Sequence, residues 1–79
     1  MSTLSRTLVL NTLIKHETLT LPDLGKKENL GIAANEHHLL TLLESLEDEA
    51  FVKKLNGAII STYTITDKGI AEGKRLKTV

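Results

Sequence analysis

Phe51-Val52-Lys53-Lys54-Leu55-Asn56-Gly57-Ala58-Ile59-Ile60-Ser61-Thr62-Tyr63-Thr64-Ile65 sets two β-prone runs on either side of an Asn-Gly pair. Asn-Gly in that position is a strong hairpin signal, because both central residues of a type I′ turn take positive φ. The second run is dense in β-branched residues, which pack well on a pleated surface. The sequence therefore predicts an antiparallel hairpin with strands Phe51–Leu55 and Ala58–Ile65, closed by a two-residue turn.

Immediately upstream, Leu39, Leu40, Leu42, Leu43 and Leu46 recur with helical spacing. Asn35 is a favoured N-cap type, so this helix is expected from Asn35 to Glu49. His37, His38, Thr41, Glu44, Ser45 and Asp48 fall mainly on its outer side. Gly31 is placed to end a shorter helix, Pro22 to Asn29, in the left-handed conformation. Pro22 and Asp23 suit the first turn of that helix, and Gly25 weakens its middle. Thr18-Leu19-Thr20-Leu21 alternates polar and apolar over four residues, as a very short strand does.

Ser2 to His16 reads as the first helix. Val9, Leu10, Leu13 and Ile14 share one arc, with Leu4 and Leu8 beyond it and Ser5, Thr12 and His16 in the polar gap. An arc that wide fits either the middle of a three-helix pack or a second face that meets a partner subunit. At the other end Thr66 caps a last helix, Asp67 to Lys77, with Lys74, Arg75 and Lys77 matching the dipole of its final turn. Gly69 and Gly73, four apart, mark close packing against a neighbouring helix.

Two helices joined by a tight Gly-containing turn, the second striped with leucine, make a helix-turn-helix. A hairpin directly after the second helix makes it winged. The expected class is α+β, mainly α: a three-helix core, a two- or three-stranded antiparallel wing and a C-terminal helix, in a single domain over 1–79. In such a unit the second helix of the pair enters the DNA major groove, its N-terminal residues reaching base edges.

Leu46-Glu47-Asp48-Glu49-Ala50-Phe51-Val52-Lys53-Lys54 resembles the end of the recognition helix and the first wing strand of MarR-like and PadR-like winged-helix regulators. Tyr63-Thr64-Ile65-Thr66-Asp67-Lys68-Gly69 resembles their second wing strand entering the last helix, and Leu30-Gly31-Ile32 their turn before the recognition helix. Together these matches cover roughly residues 19 to 76. The resemblance implies a winged helix that binds duplex DNA and regulates transcription. There are two departures. Ala50 stands where the family usually has Gly, so the corner into the wing is made either without positive φ or with strain. The wing tip carries Ile59 and Ile60 rather than Arg, so an arginine contact to the minor groove is not expected.

The 79 residues carry ten Lys and Arg against ten Asp and Glu, a balance unlike the usual basic DNA binder. The zero hides a polar distribution. Residues 1–34 hold four bases and three acids, residues 35–49 five acids and no base, and residues 50–79 six bases and two acids. Because Lys and Arg contacts to phosphate supply much of DNA affinity, the expected contacts lie at the tip of the third helix and around it. Asn35, His37, His38 and Thr41 occupy its first two turns. Asn reads adenine and Thr meets a thymine methyl. Lys26, Lys27, Lys53 and Lys54 are the candidate phosphate grips.

Other chemistries are disfavoured. There is no cysteine, and His37 and His38 project about 100° apart on a helix, whereas zinc sites prefer two histidines four residues apart. No metal or cofactor is expected. Ser61 has no His or Asp partner at a suggestive spacing, no Gly-rich phosphate loop is present, and no enzyme activity is expected. The longest apolar run is three residues, so neither a membrane span nor a secretory signal is expected, and the chain is placed in the cytoplasm. Two functions fit the pattern. One is a homodimeric transcriptional regulator that binds double-stranded DNA, with the first helix as dimer contact. The other is a winged-helix protein–protein interaction module whose acidic third helix docks a basic partner instead of DNA.

Overall fold

A computed structural model describes residues 4–57 and 59–77. The first helix, α1, runs Arg6–His16. It begins later than the expected Ser2, because the Ser5 hydroxyl accepts the Leu8 N–H at 3.2 Å and so sets the N-cap; residues 2 and 3 lie outside the described residues. Glu17 ends α1 at φ 70°, and its carbonyl then accepts the Ile65 N–H at 3.0 Å. This bond ties the helix end to the sheet.

Strand β1, Thr18–Thr20, stops one residue short of expectation. The Thr20 hydroxyl accepts the Asp23 N–H at 3.2 Å, which turns Leu21 into the first residue of α2, Leu21–Leu24. The single helix expected from Pro22 to Asn29 is instead two short ones, α2 and α3 (Lys27–Leu30). The break falls where Lys26 adopts an extended backbone after Gly25. The Asn29 side-chain amide donates to the Asp23 carbonyl at 2.7 Å and bridges the two pieces. Gly31 closes α3 at φ 84°, as its position in the sequence predicts.

Helix α4, Glu36–Asp48, has Asn35 as its N-cap. Leu39, Leu43 and Leu46 are buried on one face, while Leu40 and Leu42 are half-buried at its margins. They meet Val9, Leu10 and Leu13 of α1, which are fully buried. Truncating a core residue such as Leu43 to Ala costs about 2–5 kcal/mol at sites of this kind. Thr12 is also buried, although it lies in the expected polar gap of α1; its hydroxyl donates to the Leu8 carbonyl at 2.8 Å and needs no water. α1 packs against α2, α3, α4, α5 and the sheet, so its broad apolar arc is used largely within the chain. Here α5 is the last helix, Asp67–Lys77, whose bounds match expectation.

Strands β2 (Val52–Lys54) and β3 (Thr62–Ile65) form the wing, and β1 joins them in a three-stranded antiparallel sheet of order β1-β3-β2. The register differs from that of a two-residue Asn-Gly turn. Val52 faces Ile65, Lys53 faces Thr64 and Lys54 faces Tyr63, and the Leu55 N–H donates to the Thr62 carbonyl at 2.9 Å. Residues 56, 57 and 59–61 therefore lie outside the strands, and of the Asn-Gly pair only Gly57 has positive φ. The reason lies on the other edge of β3. Leu19 pairs with Tyr63 there; Tyr63 is in the core and the half-buried Leu19 packs against it. A two-residue turn would pair Ser61 with Val52 and leave Tyr63 without a partner in β2. The register that puts Tyr63 and Ile65 beside Val52 wins, at the expense of a longer loop.

Two glycines of α5 set close approaches. A Cβ at Gly73 would strike the Ile14 side chain of α1, as helix–helix packing requires. A Cβ at Gly69 would strike the Phe51 carbonyl oxygen, so this glycine packs against the wing corner rather than a helix.

Candidate nucleic-acid interface

The N-terminus of α4 is built by its cap. Asn35 Oδ1 accepts the His38 N–H at 3.0 Å, satisfying one of the four free donors of the first turn. Asn35, Glu36, His37, His38 and Thr41 are all exposed. The Thr41 hydroxyl donates to the His37 carbonyl at 3.0 Å. The helix thus presents an amide, two imidazoles and a threonine over two turns, together with the Glu36 carboxylate.

Its other carboxylates stand toward the far end. Glu44, Glu47, Asp48 and Glu49 are exposed, and Glu49 forms an ion pair with Arg6 of α1. The same Arg6 guanidinium lies 5.8 Å from the centroid of the Phe51 ring, and the Lys68 ammonium lies 5.2 Å from it. These contacts fasten the end of α4 to α1 and α5. Sequence spacing does not reveal the ion pair, because Arg6 and Glu49 are 43 residues apart along the chain.

The four candidate lysines do not behave as two pairs. Lys26 makes a salt bridge of 3.0 Å with Asp23, which holds the Asp23 carboxyl below its ordinary range and raises the lysine. Lys27 is exposed on α3. Lys53 and Lys54 are exposed on β2, but successive strand residues point to opposite faces. Among the described residues Lys27, Lys53 and Lys54 make no ion pair. Lys26 shares a shallow groove with Leu21 and Pro22 of α2 and with Glu36 and Leu39 of α4. One lysine, Lys26, therefore sits beside the tip of α4, while Lys53 and Lys54 stand on β2, the strand that follows the other end of that helix.

Among the described residues there is no group of three His, Asp or Glu side chains able to hold a metal ion, and no helix is long and apolar enough to cross a membrane.

No protein-family model and no curated protein matches the sequence. Solved structures do match. F93 from STIV, described as a winged-helix DNA-binding protein, superposes with a TM-score of 0.80 at 20% identity, over 96% of this chain and 89% of F93. The fold is a winged helix. The oxidized form of MarR from E. coli matches at TM-score 0.72 and 20% identity, over 89% of this chain and 48% of MarR. Bacillus subtilis PadR, solved in complex with operator DNA, matches at TM-score 0.72 and 22% identity, over 91% of this chain and 45% of PadR. The chain spans about half the length of the MarR and PadR chains it matches, and most of F93. The MarR- and PadR-like winged-helix architecture implied by the sequence resemblance is thus the observed one.

Proposed function

We propose that this chain is a DNA-binding transcriptional regulator, not an enzyme, acting as one winged-helix domain over 1–79. The observation that carries this is the arrangement of α4. Its exposed N-terminal turns offer Asn35, His37, His38 and Thr41, while most of its carboxylates stand farther along and Glu49 is tied to Arg6. Asn35, His37, His38 and Thr41 meet base edges in the major groove; Lys26, Lys27, Lys53 and Lys54 meet phosphates. Supporting the reading, F93 is described as DNA-binding and PadR was solved with operator DNA.

The protein works in the cytoplasm as a homodimer, with two α4 helices in successive major grooves about 34–36 Å apart. Leu8 and Ile14 of α1 are half-buried and line a groove with Leu30 of α3, which favours a second copy against that edge of α1. Sedimentation at high concentration tests this, and a stable monomer retires the α1 contact.

The decisive experiment is a gel-shift titration on duplex DNA at several salt concentrations. Binding is expected at low salt, with its logarithm falling linearly against log salt. Failure to bind at low salt refutes the DNA reading.

A further inference from the structure

The tip of the wing is apolar and uncovered. Ile59 is fully exposed at 103% and Ile60 is 53% exposed. Single exposed aliphatics are ordinary on protein surfaces. Two adjacent ones at the end of a hairpin, held in place, are a different matter. The Thr62 hydroxyl donates to the Ile60 carbonyl at 2.8 Å, and the Ser61 carbonyl accepts the Leu21 N–H at 2.8 Å. The loop is thereby pinned at its return end, with its isoleucines outside the core.

The stem of the wing is cationic. From Ala50 to Thr66 the chain carries Lys53 and Lys54 and no acidic residue. A positive stem with an aliphatic tip matches the DNA minor groove, which is flanked by phosphates and whose base steps accept apolar wedges, isoleucine among them. Leu21, whose N–H holds Ser61, also lines the groove beside Glu36 and Leu39 of α4. The anchor of the tip and the start of α4 therefore share one neighbour.

We infer that Ile59 and Ile60 form an apolar wedge that enters the minor groove beside the α4 contact, partly unstacks a base step and bends the duplex. The wedge rests on the DNA-binding function proposed above. It replaces a charged tip contact with one whose energy comes from removing two aliphatic side chains from water.

The test is energy transfer between dyes on the two ends of a duplex rich in TA steps, the steps most easily kinked. Wild type and Ile59→Ser/Ile60→Ser are compared at several salt concentrations. Both changes lie at exposed positions, and matching circular dichroism establishes that the variant folds. Wild type is expected to bend the duplex by about 20° or more. The variant is expected to bind about tenfold more weakly and without the bend. Its slope against log salt stays unchanged, because no charge was altered. Wild-type binding without bending, or a variant that bends like wild type, overturns the wedge and leaves DNA binding standing. No wild-type binding at low salt removes both. Binding to phosphatidylserine vesicles that requires the isoleucines, with duplex left straight, overturns the wedge in favour of a lipid surface.

Discussion

The Thr66 hydroxyl lies 2.7 Å from the carbonyl oxygen of Ala50, and 3.0 Å from that of Phe51, and shares its proton between them. The same oxygen accepts the Gly69 N–H at 3.0 Å and so caps α5. One side chain thus joins the end of α4, the first residue of the wing and the start of α5. Ala50 itself has φ 63°, the left-handed region that favours glycine. The corner is therefore made with strain, and Thr66 is among the groups that hold it there.

Ala50→Gly removes that strain. The left-handed penalty of about 1–2 kcal/mol is partly offset by the greater freedom of glycine in the unfolded chain, about 0.4–1 kcal/mol. A net gain of about 0.5–1 kcal/mol is expected, seen as a rise of several degrees in the thermal midpoint for a domain of this size. A lower midpoint would show that Ala50 contributes packing that outweighs its backbone.

Thr66→Val keeps the shape and removes the hydroxyl. It leaves the Gly69 N–H without its cap and the corner carbonyls without their donor. A loss of about 1–2 kcal/mol is expected in chemical denaturation, with Thr66→Ser close to wild type. Gly69→Ala is expected to cost at least as much, because its Cβ meets the Phe51 carbonyl, a backbone atom that no rotamer change can move.

What the sequence made legible here divides by the range of the interactions. The bounds of α5 and the cap of α4 follow from side chains within one element, and spacing reveals them. The wing register does not, because Asn56-Gly57 argues locally for a short turn while Leu19, some forty residues away, fixes Tyr63 in the core. The split between α2 and α3 was equally hidden: Gly25 signals weakness, but the extended Lys26 and the Asn29–Asp23 hydrogen bond settle where the break falls. At the site, residue types were readable and their internal commitments were not. Asn35 is a cap, Lys26 is paired with Asp23, and Glu49 is paired with Arg6.

Tyr63, the single tyrosine, is buried at the centre of the sheet. Burial pushes its phenol above the ordinary value, and the Glu47 and Glu44 carboxylates push it further. A folded pKa raised above the unfolded one gives stability that is intact below the ordinary phenol range and is lost as pH rises through the raised value. Alkaline titration should therefore show tyrosinate absorbance appearing late and together with unfolding. Lysines titrate in the same region, so Tyr63→Phe is the control: it should unfold at higher pH. An early, gradual tyrosinate signal in folded protein would contradict the burial of this ring.

Asn35 serves the fold as cap and, in the proposed function, the DNA as a reader of adenine. The two roles separate by substitution. Asn35→Ser keeps an oxygen for the His38 N–H and removes the amide. It should leave stability within a few tenths of a kcal/mol and relax preference at one base position by about 1–3 kcal/mol. Asn35→Ala should lose both, with about 1 kcal/mol of stability. Selection from a random duplex pool reads the preference. If Asn35→Ser selects the same sequences as wild type, Asn35 is a cap alone.

In the proposed function, Lys53 and Lys54 bear on affinity rather than on sequence preference. Both are exposed, and both lack an ion-pair partner among the described residues. Their replacement should not disturb the core. Each phosphate contact contributes about 0.9 to the slope of log affinity against log salt. Lys53→Gln and Lys54→Gln should each flatten that slope by about one unit if its ammonium reaches a phosphate, and should weaken binding equally on every duplex. Because the two residues point to opposite faces of β2, they need not contribute alike. A flattened slope for one variant alone would identify the face of the wing that lies along the backbone. Unchanged slopes for both would place the wing away from DNA, leaving Lys26, beside α4, and Lys27, on α3, as the proposed phosphate contacts.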